Sequence, residues 1–331
     1  MEAAEELEAG MDGLSNRKPW RRACRRQQCT GGARCKATVG DPAGKCTETD
    51  GRRPSLPYSV QLKLAAFSPD GSVRTTLFKF GDLQASASPC ADITIDAARG
   101  LWARVFSPAD KDAAPPLPVV VYFHGGGFVL FSAASRLYDA LCRRLCHELG
   151  VVVVSINYRL APHHRFPVAY DDGVAALRYL DAHGLPAEVA PVAVDFSSCF
   201  LAGDSAGGNI AHHVAQRWSS PTSPHGRGNN NNLRLAGAVL IQPLFGGEER
   251  TAAEMELANV CPSLTLAGFD PLKDRHASYV EMLLLDKGND KAVRLAEYPD
   301  AIHDFYLFPE IADSGKLMTD IKLFLEEHKS N

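Results

Sequence analysis

The 331-residue sequence lacks the apolar run of about 18 residues that a helix needs to span a bilayer. An apolar segment typical of a secretion signal is also missing after the initiator methionine. Charge of neither sign dominates, since the formal net charge is -4, so nothing calls for nucleic acid or an anionic membrane as a partner. The sequence predicts a soluble protein that acts on a small molecule in the cytoplasm, with the nucleus as the alternative location, and it leaves the oligomeric state open.

Paired Cys-x-x-Cys motifs are absent from the nine cysteines. The four near the N-terminus have spacings of five, six and eleven residues, which do not fit common zinc sites. The other five lie in apolar segments, where we expect buried thiols in a reducing compartment. We therefore predict no metal site.

The N-terminal stretch differs in composition from the rest of the chain. Residues 17–53 hold eleven Lys or Arg against three acidic residues and have almost no apolar periodicity. This composition predicts a disordered basic tail over residues 1–55, followed by one folded domain over residues 56–331. Organelle targeting by the Arg-rich stretch is the alternative, although Glu2, Glu5, Glu6 and Glu8 are unusual for it.

From residue 56 onward, apolar strand patterns alternate with helical ones. Two segments around residues 93–105, each with apolar residues at every second position, are separated by a short turn and predict a β-hairpin. The continuous apolar runs predict strands buried on both faces, as in a mostly parallel sheet with helices on both sides. The predicted strands are 117–123, 151–156, 198–202, 235–242, 263–267 and 292–298, and the predicted helices are 132–149, 167–183, 206–218, 273–285 and 313–327.

The strongest chemical signal is the Gly-x-Ser-x-Gly pattern around Ser205, between a predicted strand and a predicted helix. Gly203, Asp204 and Gly207 complete this pattern. Such a turn raises the serine hydroxyl above the sheet at the start of a helix, where the helix dipole favours an oxyanion. A glycine-rich turn without chemistry is the alternative.

A second glycine-rich turn, His124-Gly125-Gly126-Gly127-Phe128, follows the strand at 117–123. Adjacent glycines let backbone N–H groups approach a ligand, as an oxyanion hole requires. A phosphate site is the alternative, although no Gly-Lys-Ser/Thr follows as in a P-loop.

A serine nucleophile needs a general base and an acid that orients the base. Asp270 and His303 follow Ser205 in the order Ser, Asp, His, and each comes after a predicted strand. Asp274 and His276 are the alternatives, but both lie in the helix predicted at 273–285, where we expect His276 to be solvated. This chemistry implies no cofactor.

Several motifs in one order resemble those of the plant carboxylesterases of the hormone-sensitive-lipase group, which have the α/β-hydrolase fold. The resemblance covers residues 56–331. It rests on His124–Phe128, Tyr158-Arg-Leu-Ala-Pro162, Phe166-Pro167 with Tyr170-Asp-Asp172, Gly203–Gly208, Asp270-Pro-Leu and Ile302-His303.

The resemblance implies a serine carboxylesterase with a triad of Ser205, Asp270 and His303. It also implies an oxyanion hole formed by the N–H groups of Gly126, Gly127 and Ala206. The related gibberellin receptors replace the base histidine, and the related dehydratases often carry Thr in place of the serine, so His303 and Ser205 favour ester hydrolysis here.

Two features depart from the family pattern. Only residues 243–262 separate two predicted strands where the family has a longer wall and cover, so we expect a shortened cover region. Asp304 follows the base histidine, where the family usually has glycine.

Overall fold

The computed structural model describes residues 63–67, 73–77, 89–108, 115–220, 232–247, 249–252, 255, 270, 272–285, 293–298 and 301–330. The strands are β1 (Lys63–Phe67), β2 (Val73–Leu77), β3 (Cys90–Asp96), β4 (Leu101–Phe106), β5 (Leu117–Phe123), β6 (Val152–Asn157), β7 (Val194–Asp204) and β8 (Leu235–Ile241). The helices are α1 (Arg136–Leu149), α2 (Val168–His183), α3 (Ala206–Ser219), α4 (Lys273–Leu285) and α5 (Ala312–His328), with a short 3-10 helix at Phe305–Leu307.

Six strands form the main sheet in the order β3-β4-β6-β5-β7-β8. The hairpin of β3 and β4 is antiparallel and joins β6 in antiparallel register, whereas β6, β5, β7 and β8 are mutually parallel. Because parallel strands all end at one edge, the loops after β5, β7 and β8 converge there. Separately, β1 and β2 form a two-stranded antiparallel sheet.

Two apolar clusters cover the two faces of this sheet. Odd-numbered residues of β5, such as Val119 and Val121, pack with buried residues of α2 and α3. Even-numbered residues, such as Val120 and Tyr122, pack with α1 and α5. Full burial of each valine or leucine side chain stabilises the fold by roughly 1.5–3 kcal/mol. The fold class predicted from the sequence is thus confirmed.

The predicted elements agree with the structure at most positions. Helix α4 has the predicted bounds, and the other helices and central strands differ from prediction mainly at their ends. The strand predicted at 292–298 is wrong, because residues 293–298 are irregular and mostly exposed. Arg294 and Glu297 are exposed there, and Leu295 is 51% exposed, so the middle of the segment does not bury an apolar face in a sheet.

Several predictions lie outside the described residues. They concern the tail at 1–55, the strand at 263–267 and half of the shortened cover at 243–262. No helix among the described residues is long and apolar enough to cross a membrane.

Candidate active site

Ser205 lies in a tight turn between β7 and α3. Its φ of 48° and ψ of −117° are strained for a residue with a side chain. A Cβ on Gly203 would overlap the carbonyl oxygen of Gly207, and one on Gly207 would overlap that of Phe123. Both glycines are therefore required by the close approach of the backbone, as the pattern predicted.

Ser205 lies at the N-terminus of α3, but its hydroxyl makes no capping hydrogen bond to the N–H groups of that helix. The serine is 9% exposed. Its N–H donates to Ile241 O at the end of β8 at 2.9 Å, and its carbonyl accepts from the N–H of Leu244 at 2.8 Å. The backbone of the turn is thus fixed to β8, which leaves the side chain for chemistry.

His303 lies in the turn that precedes the 3-10 helix, and its Nδ1 is 3.2 Å from Oδ1 of Asp270. The same carboxylate oxygen accepts from the N–H of Leu272 at 2.9 Å. Burial raises the pKa of Asp270, but the hydrogen bond and positive charge of His303 outweigh it, so the net shift is downward. The structure brings this predicted acid and base into contact.

Gln242, directly after β8, holds the turn of His303 in place. Its Nε2 donates to Ile302 O at 3.2 Å, and its Oε1 accepts from the N–H of Asp304 at 2.9 Å. Ser205 is bonded to Ile241, the residue before Gln242. Two consecutive residues therefore anchor both the turn of Ser205, the candidate nucleophile turn, and the turn of His303, the histidine turn. Sequence reasoning missed Gln242, which it placed as the last residue of the strand predicted at 235–242, whereas β8 ends at Ile241.

The burial of His303 lowers its pKa, but the carboxylates of Asp304 and Asp270 raise it more strongly, to about 9. The Nε2 atom of His303 is 3.6 Å from Oδ1 of Asp304. The imidazolium form therefore predominates at neutral pH.

The glycine-rich turn after β5 has the backbone needed for an oxyanion hole. Gly126 and Gly127 have φ angles of 106° and 60°, which favour glycine. No hydrogen bond from either N–H to the described part of the chain is observed. Ala206, the first residue of α3, is fully buried and has one of the unpaired N–H groups of a helix start.

Asp204, directly before Ser205 in the chain, is fully buried, and its carboxylate accepts four hydrogen bonds from the described residues. The hydroxyl of Tyr122 and the N–H of Gly125 donate to Oδ1 at 2.6 and 3.0 Å. The hydroxyls of Tyr138 and Tyr306 donate to Oδ2 at 2.8 and 2.9 Å. Asp204 thus connects β5, α1, the glycine-rich turn and the 3-10 helix after the histidine turn. Sequence reasoning missed the three tyrosines.

Burial raises the pKa of Asp204, the charge of Asp304 raises it further, and the tyrosine hydrogen bonds lower it, which leaves it at about 6.

The buried side chain of His124 packs against the glycine-rich turn. Its ring stacks on Tyr158 at 4.3 Å, its Nδ1 lies 2.8 Å from Gly125 O, and burial lowers its pKa to about 4. The hydroxyl of Tyr158 donates to His124 O at 2.7 Å, and Arg159 pairs with the buried Asp172 at 2.7 Å. These contacts indicate that the Tyr158 and Asp172 motifs serve packing and loop fixation.

His276, the alternative base, lies beside the other oxygen of the Asp270 carboxylate. Its Nε2 lies 3.0 Å from Pro243 O, and its Nδ1 is 3.6 Å from Oδ2 of Asp270. The expectation that His276 is solvated is wrong, because its side chain packs against these groups and is only 21% exposed. Burial lowers its pKa. The other alternative, Asp274, lies in the first turn of α4.

Among the described residues, no three His, Cys, Asp or Glu side chains lie together in a group able to hold a metal ion.

Comparison with known proteins gives matches over the same region. The profile of a family described as having the alpha/beta hydrolase fold matches residues 120–265. Carboxylesterase 20 of Arabidopsis thaliana is 37% identical over 211 residues, which make up 60% of this chain and 62% of that protein. A gibberellin receptor of the same plant is 39% identical over 208 residues, 57% of each protein. The chain thus spans less than two thirds of the length of either relative.

Two further matches cover a larger share of the matched protein. 2-Hydroxyisoflavanone dehydratase of Glycyrrhiza echinata is 32% identical over 282 residues, 71% of this chain and 84% of that protein. Among solved structures, a hyperthermophilic esterase from the archaeon Pyrobaculum calidifontis aligns with a TM-score of 0.57 and 28% identity, covering 72% of this chain and 87% of that one.

Proposed function

The chain belongs to the α/β-hydrolase family that includes the plant carboxylesterases, and on this premise we propose that it is a serine carboxylesterase acting on a small-molecule ester. The observation that carries the proposal is the shared anchoring of two turns. The strained turn of Ser205 is bonded to Ile241 at the end of β8, and the turn of His303 is bonded to the next residue, Gln242. His303 also pairs with Asp270.

In the proposed reaction, Oγ of Ser205 attacks the ester carbonyl carbon while Nε2 of His303 accepts the hydroxyl proton. The ester C–O bond then breaks, and the imidazolium gives the proton to the departing alkoxide, which leaves as the alcohol. A water molecule attacks the acyl-enzyme with His303 again as base. The acid product departs and Ser205 regains its proton.

The remaining site residues have supporting roles in this proposal. Asp270 keeps the proton of His303 on Nδ1 and balances the imidazolium charge. The N–H groups of Gly126, Gly127 and Ala206 stabilise the negative oxygen of the tetrahedral intermediate. One such donor contributes about 2.7–4 kcal/mol of transition-state stabilisation in serine hydrolases. Asp204 holds the glycine-rich turn through Gly125.

Ligand binding without hydrolysis, as the name of the gibberellin receptors indicates for those relatives, is the rival function. The pairing of His303 with Asp270 supports hydrolysis instead, since a binding protein has no need of a carboxylate-paired histidine in a turn that is anchored next to the turn of a strained serine.

Hydrolysis of p-nitrophenyl acetate by the purified full chain tests the proposal. We expect turnover at pH 9 that falls by about 10,000-fold or more in Ser205→Ala and in His303→Ala, because nucleophile and base act as a unit. Ser278→Ala, which removes an exposed hydroxyl on α4, is the matched control and retains the wild-type rate. A folded protein that shows no turnover above the Ser205→Ala background would reject hydrolysis and favour the rival function.

A further inference from the structure

Both ring nitrogens of His303 lie beside a carboxylate. Nδ1 is 3.2 Å from Asp270, which is the arrangement that orients a general base. Nε2 is 3.6 Å from Oδ1 of Asp304, which is the next residue in the chain. The Nε2 atom is the one that must accept the proton of Ser205 in the proposed reaction. A second carboxylate at this atom therefore acts on the reacting nitrogen itself.

The backbone and a tyrosine hold Asp304 in this position. The residue has φ 65° and ψ 15°, and its N–H donates to Gln242 at 2.9 Å. Its Oδ1 lies 2.8 Å from the hydroxyl of Tyr306, which shares its single hydrogen between this carboxylate and that of Asp204, and its side chain is 26% exposed. The left-handed backbone and these two bonds direct the carboxylate toward the ring.

The other titratable groups around His303 do not cancel this charge. Asp204 at the end of β7 and Asp270 before α4 add negative charge, which raises the pKa of the imidazole further. Burial holds the pKa of the surrounding tyrosines well above 10, so they are neutral, and burial lowers the pKa of His276 on α4. These tyrosines are Tyr122 on β5, Tyr138 on α1 and Tyr306 on the 3-10 helix.

We propose that Asp304 is a positioning residue that keeps a proton on Nε2 of His303 and thereby confines the hydrolase activity to alkaline pH. This inference rests on the proposed function. A neutral imidazole would direct its Nε2 lone pair at the Asp304 carboxylate, whereas the imidazolium donates to the carboxylates on both sides. The ring must lose the Nε2 proton before it can accept one from Ser205.

The direction of the pH dependence follows from the raised pKa of His303, about 9. Below that pH the base form decreases tenfold for each pH unit. The value of kcat/KM is therefore expected to rise about tenfold per unit from pH 6 to pH 8 and to level off above 9.

The pH profile of p-nitrophenyl acetate hydrolysis by the full chain and by Asp304→Asn tests the inference. Asparagine tolerates the left-handed backbone and keeps an oxygen for Tyr306, but it carries no charge. We expect the midpoint of the profile to fall by one unit or more, with kcat/KM at pH 7 raised at least tenfold. Superimposable profiles would overturn the role of Asp304, and Asp304→Gly provides the same test with the carboxylate removed.

The matched control is Glu148→Gln, which also removes one negative charge. Glu148 lies near the end of α1, which precedes the start of β6 and so lies at the sheet edge opposite the site. Its profile should coincide with that of the wild type. A shift as large as that of Asp304→Asn would mean that net charge, and not Asp304, sets the midpoint, and would overturn the inference.

An NMR titration that follows an imidazole carbon of His303 distinguishes failure of the role proposed for Asp304 from failure of the proposed function. We expect a midpoint near 9 in the wild type and a lower one in Asp304→Asn, and equal midpoints would overturn the inference regardless of turnover. Absence of ester hydrolysis by wild type and Asp304→Asn at every pH from 6 to 10 would reject the proposed function and, with it, a role for Asp304 in hydrolysis.

Discussion

Backbone strain is concentrated at the site. Within the described part of the chain, the five residues other than glycine that have positive φ angles all lie in the loops that form it. Such conformations cost about 1–3 kcal/mol each and persist only where the surroundings enforce them. The residues are Phe128 and Phe131 after the glycine-rich turn, Ser205 at the nucleophile turn, Gln242 after β8 and Asp304 after the histidine.

Gly207→Ala tests the steric argument for the nucleophile turn. The added Cβ would overlap Phe123 O and lie 2.6 Å from His124 O, both backbone atoms that cannot move independently. We expect the free energy of unfolding to fall by about 3 kcal/mol or more, as measured by urea denaturation.

The matched control for Gly207→Ala is Gly315→Ala, at an exposed position of α5 where a Cβ meets no atom within 4 Å. Alanine there should raise the free energy of unfolding by about 0.5–1 kcal/mol, because it favours the helix more than glycine does. Equal effects of the two substitutions would contradict the steric account.

The sequence predicted residues of the candidate site from a local pattern or from their order along the chain. Ser205 and its glycines form such a pattern, and the order of chain segments led to Asp270 and His303. Gln242 has no local pattern, because its role depends on bonds to residues 60 and 62 positions away. Contacts of that range become visible only in the folded chain.

At the scale of elements, the carboxylate of Asp204 connects β7 to β5, α1 and the 3-10 helix. Charge-assisted hydrogen bonds of this kind stabilise a fold by about 1.5–3 kcal/mol each. The tyrosine hydroxyls come from positions 122, 138 and 306, so no spacing in the sequence indicated that they meet. The buried carboxylate therefore fixes the relative positions of the glycine-rich turn and the histidine turn.

Tyr122→Phe and Tyr306→Phe test this connection. Each removes one hydroxyl from Asp204, and we expect each to lower the free energy of unfolding by about 1–3 kcal/mol in urea denaturation. Tyr179→Phe on α2 is the control, since no hydrogen bond of its hydroxyl to the described residues is observed, and it should change stability by less than about 0.5 kcal/mol. Losses no larger than that of the control would show that the network contributes little.

Elements with strong periodicity were predicted well, and one without it was not. Strand β5 is apolar on nearly every residue because both of its faces are covered, and helix α4 has the predicted bounds. The strand predicted at 292–298 contains Arg294, Glu297 and the half-exposed Leu295, so its apolar run is weak. A weak local pattern does not establish that a neighbouring strand is present to pair with.

At the scale of the whole molecule, the stability of the fold should depend on pH through His303. Its pKa is raised from 6.5 to about 9, so its contribution is fully present below pH 6.5 and is lost as the pH rises through 9. We expect the free energy of unfolding to decrease by about 2–3 kcal/mol between pH 7 and pH 9.5. His303→Gln should show a much smaller decrease in urea denaturation, and an equal decrease would contradict the assignment.

The fold class followed from the alternation of strands and helices, and the family followed from motifs in a fixed order. Substrate preference does not follow from either, because it depends on pocket walls that hydrophobic periodicity does not encode.

Covalent labelling tests the central claim most directly. The full chain at pH 9 would be treated with a fluorophosphonate, and the modified peptide would be identified by mass spectrometry. We predict one adduct on Ser205, absent from Ser205→Ala and greatly reduced in His303→Ala, because only an activated serine reacts with such a probe. An unlabelled Ser205 in the folded protein, or equal labelling in His303→Ala, would contradict the assignment of nucleophile and base.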